Sequence, residues 1–384
     1  MARIRDESDF RSRPSKHGSR PRSKQRPEHA DAVTGLVTGV DRGRYTLLVE
    51  DRSVLAMKAR ELGRQRAVVG DRVDVVGDVT GEDGSLGRIV RIRERTSTLR
   101  RTADDTDPYE RIVVANADQL VVVTALAQPE PRTGMIDRCV VAAYDAGMDV
   151  LLCLTKADLA SPDALRGLYE PLGVKVVVTQ SALPEPRDVG GAPQGEGAAP
   201  DDGGAPVAQD GRVRLARDSV EEVRSLLRGR TSVLVGHSGV GKSTLINELV
   251  PDARRATGVV NAVTGRGRQT STSAVALPLP VGPARDLGDG LEAADHDGWV
   301  IDTPGVRSFG LAHVEVAHLL HAFEDLSAVA EECPRGCTHL ADAPDCALDD
   351  WVAASPDDAT RAPREARVTS FRRLLASRSG TDDH

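Results

Sequence analysis

Hydrophobic and polar residues alternate along the first part of the chain in short segments that Gly, Asp and Arg residues separate. Five such segments follow one another, namely AVTGLVTGV, RYTLLVE, SVLAMKA, DRVDVVGDV and GRIVRIRER. Alternation with a period of two is typical of strands that bury one face, and the frequent turn residues favour an all-β unit. Five strands in about 65 residues predict a small barrel of the OB type.

From about residue 110 the pattern changes to near-continuous apolar strands that alternate with helices. The predicted strands are RIVVANADQLVVVTAL, DVLLCLTKADL, VKVVVTQSA, TSVLVG and WVIDTPG, and the predicted helices are MIDRCVVAAYDAGM, SPDALRGLYEPLG, SVEEVRSLLRG and KSTLINELV. This alternation predicts a parallel sheet with helices on both of its faces. Cys139 and Cys153 fall on one of these helices and one of these strands, where we expect them to be small buried hydrophobic residues.

A final helix is predicted for the segment RAPREARVTSFRRLLASR. Its residues Val368, Phe371 and Leu375 fall on one helical face, so we expect this face to pack on the domain. Four arginines lie elsewhere around the helix, namely Arg364, Arg367, Arg372 and Arg378. Their pattern leaves two interpretations open, which are contacts with phosphate groups and simple solvation.

Two segments have compositions that do not support a packed core. Residues 1–29 contain nine Lys and Arg residues, four acidic residues and almost no aliphatic ones, so we expect a disordered basic arm, either RNA-binding or merely solvated. Residues 183–212 contain seven Gly and five Pro residues, which predicts a disordered insertion in a surface loop. The predicted divisions of the chain are the arm (1–31), the barrel (32–98), an α/β domain (99–325) and a C-terminal subdomain (326–384).

Charge and composition limit the classes of protein that fit. The formal net charge is −8, but the first 29 residues carry +5 and the remainder carries −13, so the average hides the basic arm. Aromatic residues make up 3% of the chain, and Tyr45 is the only one in the predicted barrel. A single-strand binder that stacks bases on aromatic side chains is therefore disfavoured, and RNA binding would rest on phosphates and shape. The barrel is either a spacer or docking module or a reader of bases.

The chain contains no run of 18 apolar residues, and its first residues, MARIRDESDF, lack the apolar segment of a secretory signal. Five unevenly spaced Cys residues do not suggest a disulfide framework and favour a reducing compartment. We therefore expect a cytoplasmic protein without a membrane partner.

The strongest chemical signal is the segment TSVLVGHSGVGKSTLINELV, in which the motif Gly-x₄-Gly-Lys-Ser follows a predicted strand and opens a predicted helix. Its glycines allow backbone N–H groups to point into one cavity, and the N-terminus of the helix favours phosphate. We expect Lys242 to reach the β- and γ-phosphate oxygens and the Ser243 hydroxyl to bind Mg²⁺. The residues expected to bind a nucleoside triphosphate are Gly236, His237, Ser238, Gly239, Val240, Gly241, Lys242, Ser243 and Thr244.

The tetrapeptide Thr155-Lys156-Ala157-Asp158 ends a predicted strand and indicates which base is bound. The Asp158 carboxylate can accept from guanine N1–H and N2–H₂ together, whereas the N1 acceptor of adenine would repel it. The stem of Lys156 can lie along the base. Ser181-Ala182 follows the next predicted strand and fits a second contact, from backbone N–H to guanine O6. The expected ligands are GTP and GDP.

The segment Asp302-Thr303-Pro304-Gly305 follows the strand WVI and completes this chemistry. We expect Asp302 to hold Mg²⁺ through water and the Gly305 N–H to meet the γ-phosphate in a switch loop. In GTPases of the Ras type the phosphate loop comes first, but here the base loop precedes it and DTPG comes last. The same sheet forms if the old termini are joined and the chain is cut elsewhere, because domain termini often lie close together.

With this permuted order the sequence closely resembles the RsgA (YjeQ) family, circularly permuted GTPases that act in late maturation of the small ribosomal subunit. The resemblance covers about residues 32–375 and includes the barrel, ERTSTLR followed by IVVANADQ, GRGRQTSTS, DTPGVRSF and a Cys/His cluster. It implies an N-terminal OB-type β-barrel, a circularly permuted α/β P-loop GTPase domain and a zinc-binding, mostly helical C-terminal subdomain.

The catalytic positions depart from the usual pattern. GTPases of the Ras type carry a Gln after DxxG that orients the attacking water, but Val306 at this position cannot form a hydrogen bond. The family carries a His, thought to assist, in a Gly-Arg-His-Thr-Thr-Thr segment, and Gln269 stands in its place here. Gln269 can position water but cannot titrate near neutral pH, so we expect a flatter pH profile. Thr270 or Thr272 would bind Mg²⁺, and the sequence does not choose between them.

The motif Cys333-x₃-Cys337-x-His339-x₆-Cys346 places three thiols and an imidazole within fourteen residues. Four such ligands without an open position describe a structural, tetrahedral Zn²⁺ site, one per chain. A redox or disulfide role is the alternative, which a reducing compartment disfavours. The family usually has four residues between the first two Cys, so this loop is one residue shorter.

The sequence therefore predicts a monomeric GTPase that converts GTP to GDP and phosphate. The resemblance implies that it docks on the immature small ribosomal subunit and its rRNA, is stimulated by the subunit, and leaves after hydrolysis. Two rival functions remain open. One is a P-loop ATPase or kinase, which the base loop opposes, and the other is a GTP-dependent binding module in which Val306 reflects lost catalysis.

Overall fold

A closed five-stranded barrel forms the N-terminal part of the structure, a computed structural model that describes residues 29–102, 110–182, 214–250, 274–281, 296–303, 309, 311 and 314–378. Its strands are β1 (Val33–Asp41), β2 (Arg44–Val49), β3 (Arg52–Lys58), β4 (Arg72–Gly77) and β5 (Gly87–Ile92). They pair in the order β1-β2-β3-β5-β4, and β4 pairs again with β1 to close the barrel. The predicted OB-type barrel and its five strands are confirmed.

The barrel interior is built from the alternate apolar residues of these strands. Leu47, Val54, Val73 and Ile89 are fully buried in one cluster, because a period of two directs them all inward. Tyr45 belongs to the same cluster, is 5% exposed, and has a phenol pKa raised by burial. The only aromatic residue of the barrel therefore cannot stack on a base.

The segment predicted as one strand, RIVVANADQLVVVTAL, is two strands, and this prediction was wrong. β7 (Glu110–Ala115) forms a hairpin with β6 (Thr98–Thr102), and β8 (Gln119–Ala125) enters the central sheet. The break is at Asn116, whose φ of 55° lies in the left-handed region that Asn tolerates better than most residues.

The central sheet has the strand order β10 (Lys175–Val178), β9 (Asp149–Thr155), β8, β11 (Thr231–Val235), β13 (His296–Asp302) and β12 (Val275–Pro280). All pairs are parallel except that of β12 with β13. The sequence did not predict β12, because its segment VALPLP contains two prolines, which weaken a strand prediction. β12 also meets β1 at the pair Gly39 and Val275, so the barrel continues the sheet.

Helices cover both faces of this sheet, as predicted. They are α1 (Thr133–Asp145), α2 (Asp163–Tyr169), α3 (Arg217–Leu227) and α4 (Lys242–Leu249), with short 3-10 helices at Arg60–Leu62 and Glu170–Leu172. On β8, Leu120 and Val122 belong to the apolar cluster that contains α1, whereas Val121 and Val123 belong to the cluster that contains α3 and α4. The near-continuous apolar strands follow from this two-sided burial.

The C-terminal part is helical in the residues described, with α5 (Val316–His321), α6 (Glu324–Ala330), α7 (Ala347–Ala353) and α8 (Asp358–Arg378). Val368, Phe371 and Leu375 of α8 are buried, which confirms the predicted packing face. Phe371 meets Phe323 edge to face, with ring centroids 5.4 Å apart, and α8 packs against α1 and α2.

Three of the four arginines, Arg364, Arg367 and Arg372, bind groups of the chain itself. Arg364 donates to the Trp351 carbonyl at 2.8 Å, and Arg367 donates through two nitrogens to the Asp325 carboxylate. Arg372 makes a similar two-fold contact with Asp349. The side chain of Arg378, the predicted insertion at 183–212 and most of the predicted arm lie outside the described residues.

In the described ranges, no helix combines the length and apolar character that a membrane crossing requires.

Candidate functional site

The phosphate loop joins β11 to α4 at the carboxyl edge of the parallel strands. Gly239 and Gly241 have φ of 85° and 92°, a conformation that side chains with a Cβ rarely adopt. A Cβ on Gly236 would lie 2.6 Å from the Val123 carbonyl oxygen. The backbone geometry thus requires glycine at these positions. The loop places the N-terminus of the eight-residue helix α4 where it can bind an anion.

Lys242 and Asp302, predicted to bind phosphate and Mg²⁺, lie side by side. Lys242 Nζ donates to Asp302 Oδ1, and the two side chains are 12% and 26% exposed. Their closeness follows from the sheet, because Leu234 at the end of β11 pairs with Asp302 on β13. Thr303 fixes the start of the DTPG segment, since its buried hydroxyl donates to the Leu234 carbonyl at 2.7 Å. The edge thus holds one cation and one carboxylate in contact.

The remaining residues of the phosphate loop surround this pair. Ser243 is exposed in the first turn of α4, Thr244 is half-buried beside it, and Val240 is buried. His237 is half-buried, and its Nδ1 lies 3.4 Å from the Ser238 carbonyl oxygen. The exposure of Ser243 leaves its hydroxyl accessible for a metal ion at the start of the helix.

The base loop lies at the end of β9, next to the phosphate loop. Thr155 Oγ1 donates at 2.6 Å to the Val240 carbonyl, and Lys156, with φ of 60°, donates through Nζ to the Gln128 carbonyl. Ala157 N–H donates to the Thr179 carbonyl at 3.2 Å. Asp158 therefore lies on a loop in which each of the three preceding residues is held by a hydrogen bond.

The Ser181-Ala182 segment, predicted to make a second contact with the base, lies beside Asp158. The Ser181 N–H donates to Asp158 Oδ1 at 3.2 Å, and the Ala182 N–H donates to the Arg214 carbonyl at 2.8 Å. Both N–H groups predicted for guanine O6 therefore have protein partners in this structure. One of these partners is the carboxylate predicted to accept from the same base.

One wall of the site was not predicted from the sequence. The segment of residues 128–132 lies between β8 and α1, and its residues 129–132 line a small pocket with His237 and Val240. Its Gln128 carbonyl holds Lys156, and Pro129 lies near Gly239. The sequence does contain a signal for this wall, which is the pair of prolines in QPEPR after a buried strand. Because parallel strands end at the same edge of a sheet, a loop that follows this strand lies at the same edge as the phosphate loop.

The predicted switch residues Gln269, Thr270 and Thr272, and Gly305 and Val306, lie outside the described residues. Their roles remain predictions.

The Cys/His cluster is assembled as predicted. The ligand atoms of Cys333, Cys337, His339 and Cys346 all lie within 4.8 Å of one another. The His339 Nδ1 atom lies 3.6 Å from Cys333 Sγ and 3.8 Å from Cys346 Sγ. Tetrahedral bonds of ~2.3 Å to sulfur and ~2.0–2.1 Å to nitrogen would separate S and N by about 3.5 Å, so the donor set fits such an ion.

The shorter loop between the first two Cys residues closes in a turn. Gly336 has φ of 82°, and the Cys337 N–H donates to the Pro334 carbonyl at 3.1 Å. Burial raises the pKa of the Cys333 thiol to about 11, although the Ala347 N–H donates to its sulfur at 3.3 Å. A metal ion bound here would instead stabilise the deprotonated, thiolate form of its cysteine ligands.

The two remaining cysteines are far from this chemistry. Cys139 on α1 and Cys153 on β9 are free and buried, and burial raises the pKa of each thiol to about 12. This confirms their predicted place in the apolar core.

Comparison with known proteins gives consistent similarities. A family model described as RsgA GTPase matches residues 92–188 and 213–312. A relative from Gemmatimonas aurantiaca, named "Small ribosomal subunit biogenesis GTPase RsgA", is 31% identical over 330 residues, covering 84% of this chain and 92% of the relative. A relative of the same name from Chlorobaculum parvum is 29% identical over 345 residues, covering 86% and 95%.

Two solved structures share the fold. YloQ, described as a circularly permuted GTPase, is 21% identical with a TM-score of 0.55, and the match covers 94% of this chain and 100% of that one. YjeQ from Thermotoga maritima is 24% identical with a TM-score of 0.50, covering 90% and 99%.

Proposed function

The chain belongs to the RsgA GTPase family, and from this membership we propose that it hydrolyses GTP to GDP and phosphate during late maturation of the small ribosomal subunit, stimulated by that subunit. The observation that best supports GTP hydrolysis is the contact between Lys242 and Asp302 beside the phosphate loop. It brings the two side chains that phosphate and Mg²⁺ require to one point, at the edge where the base loop lies. The domain limits 32–98, 99–325 and 326–384 belong to the same proposal.

The loop binds the triphosphate through its backbone N–H groups and the N-terminus of α4. Lys242 exchanges Asp302 for the β- and γ-phosphate oxygens, while the Ser243 hydroxyl, and Asp302 through water, would hold Mg²⁺. When bound, Mg²⁺ would supply positive charge next to the β- and γ-phosphate oxygens. The carboxylate of Asp158 accepts from guanine, which excludes adenine.

The attacking water has no partner at position 306, because Val306 offers neither a donor nor an acceptor. Gln269 would orient this water, Thr270 or Thr272 would bind Mg²⁺, and the Gly305 N–H would meet the γ-phosphate. Intrinsic turnover is therefore slow and needs help from another residue or from the ribosomal partner.

The barrel contributes to docking on rRNA through phosphates. Arg44 on β2 pairs in register with Met57 on β3, which pairs with Arg88 on β5, so two exposed arginines flank one exposed apolar side chain. With Tyr45 in the core, this face offers charge and shape but no stacking platform.

Cys333, Cys337, His339 and Cys346 would hold a structural Zn²⁺ ion, one per chain. The bound ion would cross-link the loop of residues 333–339 to Cys346, directly before α7. The protein is expected to act as a monomer.

The test is GTP turnover by the purified full-length chain with and without purified small ribosomal subunits. We expect slow turnover alone, a marked increase with subunits, and none with Lys242→Ala in either condition. Fluorescent mant-GTP should bind and mant-ATP should not. Turnover that subunits leave unchanged would favour a GTP-dependent binding module, and tight mant-ATP binding would favour an ATPase.

A further inference from the structure

A guanidinium lies beside the Cys/His cluster and has no part in the predicted ligand set. Arg372 lies on α8, and its side chain is 16% exposed. Its two Nη groups each donate at 2.8 Å to one carboxylate oxygen of Asp349 on α7. Its Nε–H donates at 3.1 Å to the backbone carbonyl of His339. Each of the three guanidinium nitrogens therefore donates a hydrogen bond, two to a residue of α7, which begins next to Cys346, and one to the ligand residue His339.

The carbonyl that accepts from Arg372 belongs to a residue with an uncommon backbone. His339 has φ of 57°, in the left-handed region that non-glycine residues rarely adopt. In this conformation its Nδ1 lies within 4 Å of the sulfurs of both Cys333 and Cys346. Such a backbone persists only where neighbouring groups hold it, and the hydrogen bond from Arg372 is such a constraint.

The charge of Arg372 also suits its surroundings. Three thiolates and a neutral imidazole around a divalent ion leave a net negative charge, and Cys346 is only 2% exposed. Uncompensated charge is costly at such a buried position. The Asp349 carboxylate is 53% exposed and so is screened by solvent, whereas the guanidinium is largely enclosed next to the cluster.

We propose that Arg372 is a positioning residue of the metal centre, which holds the His339 ligand in place and offsets the negative charge of the thiolates. The inference rests on the zinc centre proposed above and extends it to a side chain that does not bind the ion. Groups around the ligands of a metal site typically change its affinity by about 10–100-fold. Lysine keeps the charge but cannot bond Asp349 and His339 with one planar fork.

The test is the zinc affinity of the full-length protein, measured by competition with a chromophoric chelator. The first variant, Arg372→Gln, removes both the positive charge and the planar guanidinium that bonds Asp349 and His339. The second variant, Arg372→Lys, removes the guanidinium but keeps the charge. Arg367→Gln is the matched control, because Arg367 lies on the same helix, makes the same two-fold contact with Asp325, and donates to the Pro171 carbonyl instead of the cluster.

We expect Arg372→Gln to weaken zinc binding by about 10–100-fold, Arg372→Lys to weaken it less, and Arg367→Gln to match the wild type. Equal affinity of Arg372→Gln and wild type would overturn the proposal. So would equal losses in Arg372→Gln and Arg367→Gln, because the effect would then come from docking of α8 in general.

Absorption of the Co²⁺-loaded proteins gives a readout that a general loss of stability would not move. The visible bands of tetrahedral Co²⁺ depend on the positions of its ligands, so we expect them to shift in Arg372→Gln while the far-ultraviolet circular dichroism is retained. Unchanged bands would contradict a positioning role. Failure of the wild type to bind zinc at all would overturn the zinc centre itself, whereas a zinc-loaded wild type with an unaffected Arg372→Gln overturns this inference alone.

Discussion

Thr155 Oγ1 donates a hydrogen bond of 2.6 Å to the backbone carbonyl of Val240, which joins the end of β9 to the phosphate loop. Both residues are buried, and Thr155 also contacts the position that a Cβ on Gly241 would occupy. The sequence predicts Thr155 as a nucleotide-binding residue of the base loop. The structure gives it an indirect part, because its hydroxyl is committed to the loop that would hold the phosphates.

Replacing Thr155 by Val should therefore weaken the binding of GTP and GDP alike. The change keeps the shape of the side chain but leaves the buried Val240 carbonyl without its partner, at a cost of ~1–3 kcal/mol, which corresponds to about 5- to 150-fold in affinity. Titration with mant-GDP and mant-GTP measures the loss. Thr155→Ser is the control, since it retains the hydroxyl, and nearly wild-type binding is expected. Tight binding by Thr155→Val would show that the link is dispensable.

Asp158→Asn should change which base is bound. The Asn carbonyl can still accept from the Ser181 N–H, which now donates to Asp158 at 3.2 Å, so the loop should keep its shape. The amide then presents a donor where the carboxylate accepted from guanine N2–H₂, and xanthine has an oxygen at that position. We expect GTP affinity to fall by at least about tenfold and XTP affinity to rise. Competition of both nucleotides against mant-GDP gives the ratio, and a variant that keeps its GTP preference would exclude Asp158 from base recognition.

The fold was predictable where periodicity and glycine spacing carry the information. The barrel follows from alternation, and the order of the nucleotide motifs places three loops at one edge of the sheet. β12 was missed because Pro278 and Pro280 interrupt its pattern. In the structure it pairs with β13, and Val275 lies opposite Asp302. Its place between two neighbours is a property of the sheet, which no local window of sequence contains.

The partners of charged side chains were the least predictable feature. Lys242 and Asp302 are 60 positions apart in sequence, and their contact depends on β11 and β13 being adjacent. Arg367 and Arg372 look like solvated charges on a helical wheel, yet each pairs with a carboxylate on another helix. A helical pattern shows which face a residue occupies but not what a neighbouring element offers there.

Gly70→Ala should disrupt the joint between the barrel and the hairpin of β6 and β7. A Cβ at Gly70 would lie 2.0 Å from the Ala115 carbonyl oxygen, on a backbone with φ of 89°. The joint also depends on the Asn116 side chain, which donates to the Gly70 carbonyl at 2.9 Å and accepts from the Thr96 N–H at 2.9 Å. We expect a loss in the free energy of unfolding of at least ~4 kcal/mol, as for other substitutions that force backbone to move.

The control for this variant is Gly43→Ala. Gly43 has a similar φ of 86° but no atom within 4 Å of its Cβ position, so it reports backbone strain alone, at ~1–2 kcal/mol. Urea unfolding of both variants separates the two contributions. Similar losses at the two positions would mean that the close approach to Ala115 has no energetic consequence.

Gln269→His should make GTP hydrolysis depend on pH where the native chain does not. A neutral imidazole can accept a hydrogen bond from the attacking water, whereas the protonated form cannot, so the rate of the variant should rise with pH. With a pKa of ~6.5, the neutral fraction increases about fourfold between pH 6 and 7.5, and the single-turnover rate should follow it. The amide of Gln269 does not titrate, so the native rate should stay nearly constant over this range. A steep change in the native chemical step would mean that another titrating group activates the water, and that Gln269 has not taken over the position of the family's His.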